Sequence, residues 1–239
     1  MGVKTLNLKE FFTAMENVRV NVDNKHTIRR GTETLYPVYI ILYAHDSLVG
    51  KSIRRLTNQP YSHASVSFDT SMNNIFTFGN RYIYNEDKEI YYRKFGAGRE
   101  SFKKIDGKWS YPPKTPYVIY CLWLPKENID RMKKRIHEIY NKPDAYRFSY
   151  DGLVKFYLNM SSESTNKMFC SQFVASLLAY GGMDLDKLPS LYSPYQLKDI
   201  KDVRYVESGL LKDFNKAALD KKMNLVMAEY LEENTTGTA

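Results

Sequence analysis

The sequence predicts one α+β domain. Three observations carry this. Dense β-branched and aromatic runs at 37–43 and 116–124 read as buried strands. The stretch 62–68 alternates strictly, with Ala64, Val66 and Phe68 on one side and His63, Ser65 and Ser67 on the other. Apolar residues three and four apart at 127–140 and 170–180 read as amphipathic helices. With 43% hydrophobic and 14% aromatic residues over 239 positions, the chain has ample material for a core and is not of the disordered class.

The elements follow in order. Residues 6–18 carry a helical pattern (Leu8, Phe11, Phe12, Met15, Val18), and the polar 21–34 that follows reads as a loop. After the strand at 37–43, Asp46 or Ser47 caps a helix whose apolar face is Val49, Ile53 and Leu56, ended by Asn58-Gln59-Pro60. The alternating strand at 62–68 turns through 69–74 into a strand at 75–78, with a hairpin around 81–92. The Gly-, Lys-, Ser- and Pro-rich 96–116 reads as a loop with an edge strand. Pro125 ends the strand 116–124, and the helix 127–140 turns Ile129, Met132, Ile136 and Ile139 inward. An aromatic stretch at 146–157 precedes the helix 170–180, which Gly181-Gly182 stops. A short helix at 193–197, a strand at 202–206 and a helix at 210–231 complete the chain, with 232–239 as a frayed tail.

Composition narrows the function less than the fold. Thirty-five Lys and Arg against 27 Asp and Glu give +8, which suits an anionic partner without choosing among cell-wall polymer, membrane surface and nucleic acid. The clusters Lys103-Lys104 and Lys133-Lys134-Arg135 read as solvated faces. The 20 tyrosines fall mostly at strand and helix-core positions, so a nucleic-acid stacking surface is the weaker reading. No apolar run has the length of a membrane span or the form of a signal peptide, which gives a cytoplasmic expectation. Two cysteines make no disulfide framework. Phosphate-loop, dinucleotide, Cys-x-x-Cys and His-Glu-x-x-His motifs are all missing, so neither a metal nor a nucleotide cofactor is expected.

Cys170 is the residue with chemistry to explain. It opens the helix in Met168-Phe169-Cys170-Ser171-Gln172-Phe173-Val174, just after a polar stretch. The first turn of a helix offers free backbone N–H groups and the positive end of the macrodipole, which favour a thiolate and hold an oxyanion. Cys121, inside an unbroken apolar strand, reads as core. A cysteine nucleophile needs a base, and His63 at the start of the mixed-polarity strand is the candidate. His26 in a polar loop and His137 on a Lys-rich helix face read as solvated, while His45 reads as a turn or site-edge residue.

The segments Ser62-His63-Ala64-Ser65-Val66-Ser67-Phe68-Asp69, Ile75-Phe76-Thr77-Phe78-Gly79 and Phe169-Cys170-Ser171-Gln172-Phe173-Val174, in that order, resemble the circularly permuted NlpC-like branch of the papain-fold cysteine peptidases. That branch includes relatives of lecithin:retinol acyltransferase. The resemblance runs from about Pro37 to Leu197. It implies a central antiparallel sheet packed against helices, among them the cysteine-bearing one, over 36–200, with an N-terminal helical appendage at 1–35 and a C-terminal strand and helix extension at 201–239. It implies Cys170 as nucleophile, His63 as base and a polar orienting residue on the next strand, where Thr77 stands and Asn80 is the alternative. The backbone N–H groups of Cys170 and Ser171, with that of Gln172, form the implied oxyanion hole. The expected substrates are peptide, cell-wall or acyl groups. The competing expectation is a binding or structural module that uses the same fold with little or no catalysis, such as a phage virion component or an effector. A hydroxyl at the third position favours it, because a hydroxyl cannot balance an imidazolium.

Overall fold

The computed structural model describes residues 20–44, 46–85, 90–104, 109–142, 144–162 and 164–235, with the backbone alone at 80–85, 90–95 and 235. The expected helix at 6–18, His45 and the last residues of the tail lie outside these. The strands are β1 (Ile28–Arg30), β2 (Glu33–Tyr43), β3 (His63–Ser67), β4 (Ile75–Asn85), β5 (Ile90–Glu100), β6 (Pro116–Pro125), β7 (Arg147–Phe148), β8 (Lys167–Met168) and β9 (Arg204–Leu210). The helices are α1 (Leu48–Thr57), α2 (Lys126–Tyr140), α3 (Tyr150–Tyr157), α4 (Cys170–Tyr180) and α5 (Lys216–Thr235).

A mixed α+β architecture results, with a seven-stranded antiparallel sheet in the order β5-β4-β3-β2-β6-β9 and β1 paired to the start of β2. From Leu35 onward the central β2 holds no charged residue, because both of its faces are covered. Val38, Ile40 and Leu42 join Ala64, Val66 and Val118 under Ile129, Met132 and Ile136 of α2 and Phe173, Val174 and Leu177 of α4. The alternate residues Leu35, Tyr39 and Ile41 lie with Ile119, Cys121 and Trp123 against Leu219, Met223 and Tyr230 of α5. Fully burying a side chain of this size stabilises by about 1.5–3 kcal/mol, so the two faces are the main source of stability. Cys121 is fully buried in this second layer.

Several expected boundaries move. The loop at 21–34 contains β1, whose hairpin to β2 turns at Gly31 with φ +63°, a backbone angle that favours glycine. The loop at 96–116 loses its first residues to β5, which pairs with β4 as far as Glu100. In α1, capped by Ser47, the inward residues are Gly50 and Ile53, while Val49 and Leu56 are exposed. His26 is fully buried and not solvated: Nδ1 donates to Asp23 Oδ2 at 2.6 Å, and the Tyr39 hydroxyl donates to the same oxygen at 2.9 Å. His137 is partly exposed.

Two short strands set up the site. β7 and β8 pair in parallel, Phe148 opposite Met168, and each leads directly into a helix. The starts of α3 and α4 are therefore held side by side, with Ser149 Oγ accepting the Gly152 N–H at 3.0 Å to cap α3. Phe156 of α3 consequently meets Phe169, the residue before Cys170, at a ring separation of 5.9 Å.

Candidate active site

The start of α4 is anchored by side chains and left open at its backbone. Ser171 Oγ donates to the Tyr192 carbonyl at 2.7 Å, and Gln172 Nε2 donates to the Ser162 carbonyl at 2.9 Å. Phe169 caps the helix with no side-chain hydrogen bond, and the first intrahelical bond runs from Phe173 N–H to the Phe169 carbonyl at 2.9 Å. The N–H groups of Cys170, Ser171 and Gln172 therefore have no acceptor within the helix. Cys170 is 6% exposed at this end.

His63 is the first residue of β3, paired with Tyr43 of β2. Its ring lies 5.8 Å from those of Tyr43 and Tyr111, and it packs on Gly79, where an added Cβ would stand 3.0 Å from Cε1. Cys170 is close enough to act on the charge of the imidazole, so the residue that opens a helix and the one that opens a strand share one neighbourhood.

Thr77 also reaches the ring, with Oγ1 3.0 Å from His63 Nε2, and Oγ1 donates its own proton to the Ala64 carbonyl at 3.1 Å. Asn80 is described by its backbone alone, so its side chain lies outside the described residues. The residue that sequence reasoning missed is Glu100, at the end of β5. Its Oε1 lies 3.0 Å from His63 Nε2 and its Oε2 accepts from Ser65 Oγ at 2.7 Å, while the Tyr111 hydroxyl donates to Oε1. Register explains the meeting. Ser65 pairs with Thr77 and Thr77 with Gly98, so the preceding same-face positions of β5 are the glycines 98 and 96, which leave the carboxylate room to reach across. No local pattern marks Glu100. The one cue is that Ser65 and Ser67 share the face of His63, since buried hydroxyls call for an acceptor.

A carboxylate only accepts, and the Thr77 hydroxyl has spent its proton on Ala64, so Nε2 carries a ring hydrogen. Burial alone would lower the pKa of His63. The Glu100 carboxylate and then Cys170 outweigh it and raise the value to about 10. Cys121 is the contrast, its thiol pushed well up by burial.

The hydroxyl of Tyr157, the last residue of α3, is buried without a hydrogen-bond partner among the described residues. Burial, followed by the charge of Cys170, pushes its pKa up to about 12, so the phenol keeps its proton. No group of three His, Cys, Asp or Glu among the described residues could hold a metal ion. A cavity of about 450 Å³ runs along α4, lined by Arg135, Gln172, Ser176, Tyr180 and Ser190; neither Cys170 nor His63 lines it. Comparison with protein-family models, with curated proteins and with solved structures finds no match to this chain. The geometry of the described residues is accordingly what carries the functional argument.

Proposed function

We propose that the chain is a thiol hydrolase of the circularly permuted NlpC-like papain fold, cleaving an amide or ester through a thioester on Cys170. The observation that carries this reading is the His63 ring, held by Glu100 and Thr77 at one nitrogen, with Cys170 among the groups whose proximity raises its pKa. With its pKa raised to about 10, His63 is protonated at neutral pH, so Cys170 attacks the substrate carbonyl carbon as the thiolate of a thiolate–imidazolium pair. The oxyanion that forms is met by the N–H groups of Cys170 and Ser171 and by the Tyr157 hydroxyl. The imidazolium then gives its proton to the departing amine or alcohol. Water, deprotonated by the now neutral ring, cleaves the thioester and restores the ion pair. Cell-wall peptides and acyl groups are the substrate classes that the family resemblance suggests. The binding-module reading leaned on a hydroxyl as the sole third member, and a buried carboxylate beside His63 removes that support.

Incubation with p-nitrophenyl acetate, followed by acid quench and peptide mass mapping, tests this. One acetyl group is expected on the peptide containing Cys170, with slower formation in His63→Ala and none in Cys170→Ala. Acetylation at another residue, or an unchanged rate in His63→Ala, overturns the proposal.

A further inference from the structure

Helix α1 faces the wrong way for a solvent-exposed helix. Only Gly50 and Ile53 of its ten residues are buried, while Leu48 is 87% exposed and Leu56 66% exposed, with Val49 beside them. At 100° per residue the outward arc runs Lys51, Arg55, Leu48, Ser52, Leu56, Val49, so two cations border one edge of an apolar strip that Ser52 alone interrupts. The helix contains no Asp or Glu, and Arg54, paired with Asp46 at 2.8 Å, adds a further cation at the margin.

A second strip lies on α3. Tyr150, Val154 and Leu158 follow one another at four-residue spacing along one side, each more than half exposed, and Met160 continues them. Seven of the 12 large exposed apolar residues described thus fall on these two helices and their exits. Both helices adjoin one segment: Gln59, just past α1, accepts from Ser193 Oγ at 2.5 Å, and α3 packs on Pro189–Leu191. That segment also receives Ser171 at the start of α4 through the Tyr192 carbonyl. No described helix is long and apolar enough to cross a membrane, which leaves an in-plane contact for such faces.

We infer that α1, supported by the α3 strip, docks this protein onto an anionic lipid surface. Leu48, Val49 and Leu56 enter the headgroup boundary while Lys51 and Arg55 meet lipid phosphates. The charge decides for a bilayer over a second copy of the chain, since two such faces would bring like charges together, and the net +8 acts in the same direction. This inference is independent of the thiol chemistry, because it needs neither Cys170 nor His63.

The test is sedimentation of the full chain with vesicles of phosphatidylcholine alone or with one-third phosphatidylglycerol. Binding to the anionic vesicles and not to the neutral ones is expected, with loss as salt rises. Leu48→Ser with Leu56→Ser should lower the partition coefficient at least about tenfold, and Lys51→Glu with Arg55→Glu by a similar factor. Val154→Ser with Leu158→Ser should lower it by a smaller factor. All six positions are surface sites, and an unchanged thermal midpoint separates lost binding from misfolding. Equal partition into both vesicle types, no binding at low salt, or full binding by the α1 variants overturns the inference. So does light scattering that shows a dimer broken by the leucine variant without any vesicle binding.

Discussion

Nε2 of His63 stands 3.0 Å from Oε1 of Glu100 and 3.0 Å from Oγ1 of Thr77, so one ring hydrogen is shared between a charge and a hydroxyl. The two partners have different consequences. The carboxylate changes the energy of the protonated ring, whereas the hydroxyl fixes its direction.

Glu100→Gln keeps an acceptor but removes the charge, so its effect should appear in pH dependence. His63 binds its proton more tightly in the folded chain, at about 10 against the ordinary 6.5. Stability from this source is complete below pH 6.5 and is lost as pH rises through about 10. In a Cys170→Ala background, which removes the thiol titration and leaves Glu100 as the group that raises the His63 pKa, the stability measured by urea unfolding should fall as pH rises above 6.5, over a narrower window than in the parent. The fall should be much smaller once Glu100→Gln is added. The alkaline limb of the acylation profile should also move to lower pH in Glu100→Gln with Cys170 intact. Parallel stability curves with and without Glu100→Gln would contradict the assignment.

Thr77→Ala should cost less than His63→Ala. The hydroxyl supplies orientation and no charge, and Glu100 remains to hold the ring, so a loss of about tenfold or less in acylation rate is expected. His63→Ala removes the base and should cost at least about a hundredfold. Thr77→Ser, which keeps the Oγ that bridges Ala64 and His63, should recover most of the rate. Equal losses in the two alanine variants would place Thr77 in the proton transfer itself.

Tyr157→Phe isolates the buried hydroxyl. If this group meets the oxyanion, its removal should lower the acylation rate by about a hundredfold or more while leaving alkylation of Cys170 by iodoacetamide unchanged, because alkylation develops no oxyanion. The variant should be no less stable than the parent, since it deletes a polar atom that has no partner among the described residues. Equal effects on acylation and alkylation would mean that the phenol acts on the sulfur instead.

How much of this was legible depends on how local each signal is. β2, β3, β6, α2 and α4 could be read because their periodicity lies within one stretch of chain, whereas Cys170 and His63 were singled out by their places at an element start and Thr77 by the family resemblance alone. Glu100 could not be read: Gly96-Ala97-Gly98 carries neither alternation nor β-branching, and what makes it strand is the backbone of β4. His26 looked solvated because its buried partners, Asp23 excepted, come from distant parts of the chain. Its carbonyl accepts from Trp123 Nε1 at 2.8 Å, and Asp23 binds Tyr39. On α1 the pattern found the apolar stripe, but tertiary packing took only Ile53 of it.

The two cysteines provide the last prediction, because one chain contains both test and control. Cys121 is fully buried on the α5 face of the sheet, and burial pushes its thiol pKa well up, so almost no thiolate is present below neutral pH. Cys170 lies at a helix start without a side-chain cap, with the positive His63 ring close enough to favour a thiolate there. Iodoacetamide applied to the folded protein at mildly acidic pH, followed by peptide mass mapping, should therefore label Cys170 and spare Cys121. His63→Ala should slow the Cys170 reaction at least about tenfold, since the proton acceptor and its positive charge are lost together. Denaturant should bring the two cysteines to equal labelling, which attributes the difference to the fold. Equal labelling without denaturant, or a Cys170 rate unmoved by His63→Ala, would make Cys170 an ordinary helix cysteine.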